Sequence, residues 1–175
     1  LNAAAPDAGS VLPAGVGKDE RGERLTRELE QRGVRCDLVR SATLPTIHKL
    51  RVLARSQQLL RIDAEQSLHT CADELGGVFV KRVKEADAVI LSDYGKGTLS
   101  RVTELIAAAH AAVVPILVDP KGTDFKRYRG AYALTPNRGE FEAVVGHCVD
   151  EADLLRKGGA LRAEQARQQK RKDSR

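Results

Sequence analysis

Thr135-Pro136-Asn137-Arg138-Gly139-Glu140 brings an amide and a carboxylate three residues apart to the start of an apolar segment that predicts a helix. That spacing is a capping box, in which Asn137 accepts from the third helical N–H and Glu140 reaches back. The same geometry has a second use. A helix N-terminus offers free N–H groups and a positive dipole end to phosphate, and Glu140 beside it could hold Mg²⁺, directly or through water. Both readings can hold together. Lys96 and Lys121 each follow an apolar run among glycines that permit close backbone approach, and turn chemistry alone would not need both. Two lysines on one rim would suit phosphate. A further cationic set, Lys49, Arg51, Arg55 and Arg61, alternates with apolar residues, as a solvated strand face does or as a lid over an anionic substrate would.

Several other chemistries are excluded. Neither Gly17-Lys18 nor Gly95-Lys96 completes a Walker A sequence, and no G-x-G-x-x-G opens a helix. Cys36, Cys71 and Cys148 form no C-x-x-C pair, and His48, His69, His110 and His147 have no ligand spacing, so a structural zinc site is not expected. The apolar stretch from Leu105 to Val118 is interrupted by His110 and Pro115 and is too short to span a bilayer. With no cation before Lys18 the first residues do not read as a signal peptide, and the cytoplasm is the expected location. The net charge of +5 is local: eight of 29 basic residues and two of 24 acidic ones lie in 156–175, leaving 21 against 22 elsewhere. With six aromatics in all, stacking on bases is poorly supplied. Neither nucleic acid nor membrane is an expected partner, and the basic end is expected to be solvated or frayed.

The elements that must position these residues follow from pattern. Length predicts one domain with a real core, and 42% hydrophobic with 30% charged residues is ordinary globular composition. Residues 1–17 show no polar period and read as the remnant of an element whose start is missing. A helix is predicted over 19–31, closed by Gly33, then strands at 34–39, 49–55 and 59–62 with a turn at 56–58. A helix over 68–84 is weakened by Gly76-Gly77. Beyond it, apolar runs at 88–91, 113–118 and 131–134 alternate with helices at about 98–112 and up to 145. Strands alternating with helices predict βαβ units and a parallel sheet, whose three polar loops line one rim where such sheets bind ligands.

Five blocks read together carry a resemblance: Thr46 to Arg55, Gln57 to Asp63, Leu91-Ser-Asp-Tyr-Gly-Lys-Gly97, Val118-Asp-Pro-Lys-Gly-Thr-Asp-Phe125 with Arg127-Tyr-Arg-Gly130, and Thr135 to Phe141. In this order they resemble the kinase domain of the bifunctional D-glycero-β-D-manno-heptose-7-phosphate kinase/heptose-1-phosphate adenylyltransferases, a family of ribokinase-like (phosphofructokinase-B type) sugar kinases. The resemblance covers about residues 1–157. It implies an α/β ribokinase-like fold, a mostly parallel sheet with flanking helices and a small β lid. It implies ATP, Mg²⁺ and a phosphorylated sugar, the anomeric hydroxyl being phosphorylated on the route to ADP-heptose and lipopolysaccharide core. Asn137, Arg138, Gly139 and Glu140 would contact the nucleotide and metal, and Lys49 and Arg51 would belong to the sugar lid; the phosphate-facing reading of Lys96 and Lys121 rests on their own positions. A homo-oligomer is compatible with an intact parent.

Where the chain departs from the family also matters. Position 48 is His where the family usually has Thr. The family's Asp-bearing first strand, its Gly-Gly-x-x-Asn loop and its Gly-Ala-Gly-Asp loop, whose Asp is the catalytic base, have no counterpart in these residues. The expectation is therefore a kinase domain truncated at both ends, with no catalytic base of its own. Its lid-like strands would lie within 34–63, its nucleotide-side βαβ units within 85–148, and a divergent basic tail over 158–175. A non-catalytic nucleotide-binding fragment and a ribokinase-like kinase for another sugar are the alternative readings.

Overall fold

The computed structural model describes residues 9–173, with side chains to 165. Two compact units emerge: one runs to Val78 and includes Lys96–Thr98, the other holds Phe79–Gly95 and Leu99 onward.

The first unit opens with β1 (Ser10–Gly17), α1 (Glu20–Glu30) and β2 (Val34–Ser41). Strand β2 pairs parallel with β1 along its whole length, Ser10 opposite Val34 through Gly17 opposite Ser41. Residues 10–17 give the expected element as a strand, and one expectation is corrected: 34–41 pairs with that strand and not with the strands of 49–55 and 59–62. A helix intervening between two strands returns the chain in the same direction, so β2 is supplied with a parallel partner upstream. Pro13 sits in β1, a two-stranded sheet's edge where a missing N–H is tolerated.

Helix α1 starts because Asp19 caps it, its carboxylate accepting from Gly22 N–H at 2.8 Å. The same carboxylate accepts the Thr46 N–H at 2.8 Å and the Thr46 hydroxyl at 2.6 Å, while that hydroxyl accepts the Gly17 N–H at 2.9 Å. These donors hold the Asp19 carboxyl down at about 2. A Cβ on Gly17 would stand 2.7 Å from the Thr46 nitrogen, so only glycine allows this approach. The knot ties the end of β1 to the residues that enter β3 (His48–Ala54).

Strand β3 and β4 (Gln57–Ala64) form an antiparallel hairpin that is a sheet by itself, with Leu50 opposite Ile62 and Arg51 opposite Arg61. The connection is Arg55-Ser56, shorter than the expected turn, with Arg55 at φ +53°. After it, Leu68, Cys71 and Leu75 pack on Val39, with Leu44, Ile47 and Val78 at the margin. Helix α2 (Ala72–Arg82) contains Gly76-Gly77 and begins in this unit and ends in the other.

In the second unit β5 (Val89–Ser92), β6 (Ile116–Asp119) and β7 (Ala133–Leu134) form a parallel sheet in that order, bearing out the βαβ reading. Helix α3 (Val102–Ala111) buries Val102, Leu105, Ile106 and Ala109, the i, i+3, i+4, i+7 stripe of a core-facing helix. These pack with Phe79, Val83, Leu91, Ile116, Val118, Phe125 and Tyr128. Helix α4 (Arg138–Val145) follows β7, and α5 (Glu151–Asp173) runs without a break across the expected boundary at 157. The end expected to be solvated or frayed is helical as far as Asp173: Ala, Leu, Arg, Gln, Lys and Glu dominate this segment and favour helix, and Asp150 accepts from Asp153 N–H at its start. Among the described residues no helix is long and apolar enough to cross a membrane.

Candidate functional site

Three parallel strands end on one edge of the second unit's sheet, so the loops that leave β5, β6 and β7 share that edge. The loop after β5 begins with Asp93, buried, whose carboxylate accepts the Gly95 N–H at 2.7 Å. Its other oxygen accepts from the Tyr128 hydroxyl at 2.7 Å, with the Arg127 guanidinium at 3.8 Å. Tyr128 is 1% exposed and its ring lies edge-on to Phe125. Its hydroxyl in turn accepts the Lys121 backbone N–H at 3.2 Å, fixing the loop after β6. Burial, together with the neighbouring Asp93 carboxylate, pushes the Tyr128 hydroxyl up to about 12.

From that loop the Lys121 ammonium donates to Glu140 Oε1 at 2.8 Å. Glu140 Oε2 accepts the Asn137 N–H at 3.1 Å, and Asn137 Oδ1 accepts the Glu140 N–H at 3.0 Å, which is the predicted capping box. Lys121 and the Asn137 amide hold the Glu140 carboxyl below the usual range, and the same pairing raises the Lys121 ammonium. Asp93, Tyr128, Lys121, Glu140 and Asn137 thus form one chain of contacts across the loops after all three strands. Arg138 turns along α4 instead, to Glu142 at 2.9 Å and to the Cys148 carbonyl. Gly139 leaves 3.4 Å between its would-be Cβ and Asn137 Oδ1.

The donor set fits a magnesium ion that arrives with phosphates. Mg²⁺ is usually held through one or two carboxylates, waters and substrate oxygens and needs no protein cage. Glu140 is one such hard oxygen donor, in the first turn of α4, where a helix presents its N–H groups and positive dipole end. Among the described residues no group of three or more His, Cys, Asp or Glu side chains could hold a metal unaided.

Lys96 belongs to the first unit, whereas Lys121 belongs to the second. There Lys96 forms a short ion pair with Glu65 Oε2, and Lys49 reaches Glu65 Oε1 at 2.5 Å. The two lysines hold the Glu65 carboxyl down at about 2. Arg61 pairs with Asp63 at 2.6 Å. Arg51 lies across the hairpin from Arg61. Sequence reasoning singled out Lys49, Lys96 and Lys121 but missed Glu65, Asp93 and Tyr128. Asp93 and Tyr128 lie in the segments 91–97 and 127–130, and their signal was a carboxylate and a large aromatic in otherwise glycine- and lysine-rich loops.

The fold is that of the ribokinase-like α/β kinases. Ribokinase from Giardia lamblia matches with a TM-score of 0.68 at 14% identity, over 86% of this chain and 49% of that one. Phosphofructokinase-2 from Escherichia coli matches with 0.68 at 19% identity, over 89% and 52%. The chain belongs to the pfkB family of carbohydrate kinases, whose pattern matches residues 10–169. Among curated proteins it is 54% identical over 168 residues to the bifunctional protein HldE of Chromohalobacter salexigens, and 50% identical over 159 residues to that of Aeromonas hydrophila. These alignments take in 94% and 90% of the chain but 35% and 34% of the relatives, so the chain spans about a third of their length.

Proposed function

We propose that this chain carries the nucleotide-side and lid segments of a sugar kinase that phosphorylates D-glycero-β-D-manno-heptose 7-phosphate at its anomeric hydroxyl, using ATP with Mg²⁺, in the cytoplasm. The observation that carries the reading is the Lys121–Glu140–Asn137 contact at the shared carboxyl edge of a parallel sheet. The similarity to HldE proteins and the five matching blocks support the sugar.

In this reading the N–H groups at the start of α4 receive nucleotide phosphate oxygens, and Lys121 neutralises charge on the same edge. Glu140 would hold Mg²⁺, directly or through a water, and the ion would supply charge neutralisation to the phosphates. Asp93 and Tyr128 hold the Lys121 backbone in place. Phosphoryl transfer rests on positioning and charge neutralisation more than on a nucleophilic side chain, and these residues supply both. Lys49 and Arg51, on the hairpin, meet the sugar phosphate. The 175 residues contain no Gly-Ala-Gly-Asp sequence, so a general base worth about 10²- to 10⁴-fold has no family counterpart in them. The chain by itself is therefore read as a binder of Mg-ATP that does not turn over.

Isothermal titration with Mg-ATP beside a coupled ADP-release assay tests this. Expected are weak nucleotide binding and no heptose-dependent ADP release from the chain. Sustained release would refute the inactive reading, and no binding would refute the nucleotide site. In a full-length parent, Lys49→Ala or Arg51→Ala should raise KM for heptose 7-phosphate about 10- to 150-fold, the value of a charge-assisted hydrogen bond. An unchanged KM returns both residues to a solvated strand face.

A further inference from the structure

Lys49 and Lys96 come from separate parts of the sequence and meet on one carboxylate. Glu65 gives one oxygen to each: Oε1 to Lys49 at 2.5 Å and Oε2 to Lys96. The meeting is built into the backbone. The Lys96 carbonyl accepts the Leu68 N–H at 2.7 Å, three residues beyond Glu65. Gly97, at φ +91°, lies so close to His69 that a Cβ would stand 2.8 Å from the His69 nitrogen. On the other side, strand pairing sets Lys49 opposite Asp63 at the end of β4. Asp63 is engaged by Arg61 in a fork of 2.6 to 3.1 Å, and Lys49 lies 4.0 Å from it, so Glu65 is the carboxylate left to the two lysines.

Charge and exposure suggest what such an arrangement is for. Lys49, Lys96 and Arg61 against Asp63 and Glu65 leave the cluster one positive charge in excess. The lysine side chains are 43% and 41% exposed while Glu65 is 18% exposed, so solvent reaches the cations more readily than the carboxylate between them. A singly charged carboxylate offers two oxygens to two ammonium groups. A phosphate dianion offers three oxygens and twice the charge to the same pair, and charge-assisted bonds to phosphate are among the strong ones.

We propose that Lys49 and Lys96 together form a binding site for the phosphate of a phosphomonoester, and that Glu65 is the internal anion which this phosphate displaces. The proposal rests on the phosphosugar-kinase reading above and adds to it a second lysine and a residue that sets the threshold for binding. Glu65 holds the two ammonium groups together when no substrate is present, offsetting their repulsion. Ligands lacking a dianionic group cannot compete with it, so the site discriminates phosphorylated from free sugars.

The test uses this chain and inorganic phosphate, followed by ³¹P NMR titration, with circular dichroism to verify folding of each variant. Glu65→Gln removes the competing charge and should tighten phosphate binding roughly five- to twentyfold, the scale of two partly exposed ion pairs. Lys49→Gln and Lys96→Gln should each abolish saturable binding. Phosphate binding that is unchanged or weaker in Glu65→Gln overturns the displacement. Binding that survives both lysine substitutions, or no saturable binding by the unmodified chain or Glu65→Gln, overturns the site. The two readings fail separately. Phosphate binding without heptose 7-phosphate kinase activity in a full-length parent would refute only the substrate. A parent that phosphorylates heptose 7-phosphate with an unchanged KM in Lys96→Gln would refute only this site.

Discussion

Replacing Tyr128 with Phe removes one oxygen from the interior of the second unit and leaves the ring in place. That oxygen donates to the Asp93 carboxylate at 2.7 Å and accepts from the Lys121 N–H at 3.2 Å. A hydrogen bond to a charged group contributes about 1.5–3 kcal/mol, and an orphaned buried N–H adds to the cost. The ring contact with Phe125 and the Arg127 guanidinium over the ring survive the change. The expected loss is therefore about 2–3 kcal/mol, with little contribution from altered packing. Amide exchange along β5 and β6 reads the second unit by itself and should accelerate about 30- to 150-fold. Tyr132→Phe, at a side chain 79% exposed, should change stability by under ~0.5 kcal/mol. A second signature comes from pH. The folded-state hydroxyl is raised to about 12, so the unfolded chain ionises first and folding stability falls as pH climbs from about 10 toward 12. Tyr128→Phe should lack that component. A loss below about 0.5 kcal/mol, or an alkaline limb identical to the unmodified chain's, would show that the hydroxyl does not hold these loops together.

Three further outcomes follow from other parts of the structure. Asn137→Ala should cost about 1 kcal/mol by thermal unfolding through loss of the cap, whereas Asn137→Asp keeps the cap and should weaken Mg-ATP binding in calorimetry by placing a negative charge beside the phosphates. Asp19 has its carboxyl lowered from 3.8 to about 2, so it contributes stability that is present above about pH 4 and lost as pH falls toward 2; the acid limb of Asp19→Asn, followed by circular dichroism, should be correspondingly flatter. Gly97→Ala forces a Cβ to within 2.8 Å of the His69 backbone at a positive φ, so it should lower urea stability by about 1–3 kcal/mol and weaken phosphate binding with it.

What the amino-acid sequence settles here is whatever depends on neighbours a few residues apart. The α3 stripe follows from a period of 3.6 residues, the Asn137–Glu140 box from a spacing of three, and the parallel strands at 89–92 and 116–119 from apolar runs separated by a helix. The glycine at 97 was legible as a point of close approach, although not what it approaches. Partner choice was not legible in the same way. Strand 34–41 carries no mark that selects β1 over the hairpin, because a strand's backbone groups pair with any edge brought to them.

The three-dimensional fold decides the charge contacts. Lys96, expected from the sequence to face phosphate, has its ammonium held by Glu65, with Lys49 on the other oxygen. Asp93 and Tyr128, far apart in sequence, share a buried hydrogen bond that no local pattern announces. A helix cap or an apolar stripe is set by the chain's own repeat. A carboxylate takes the cations that backbone pairing and close packing carry within about 4 Å of it, where attraction outweighs the cost of ordering both side chains.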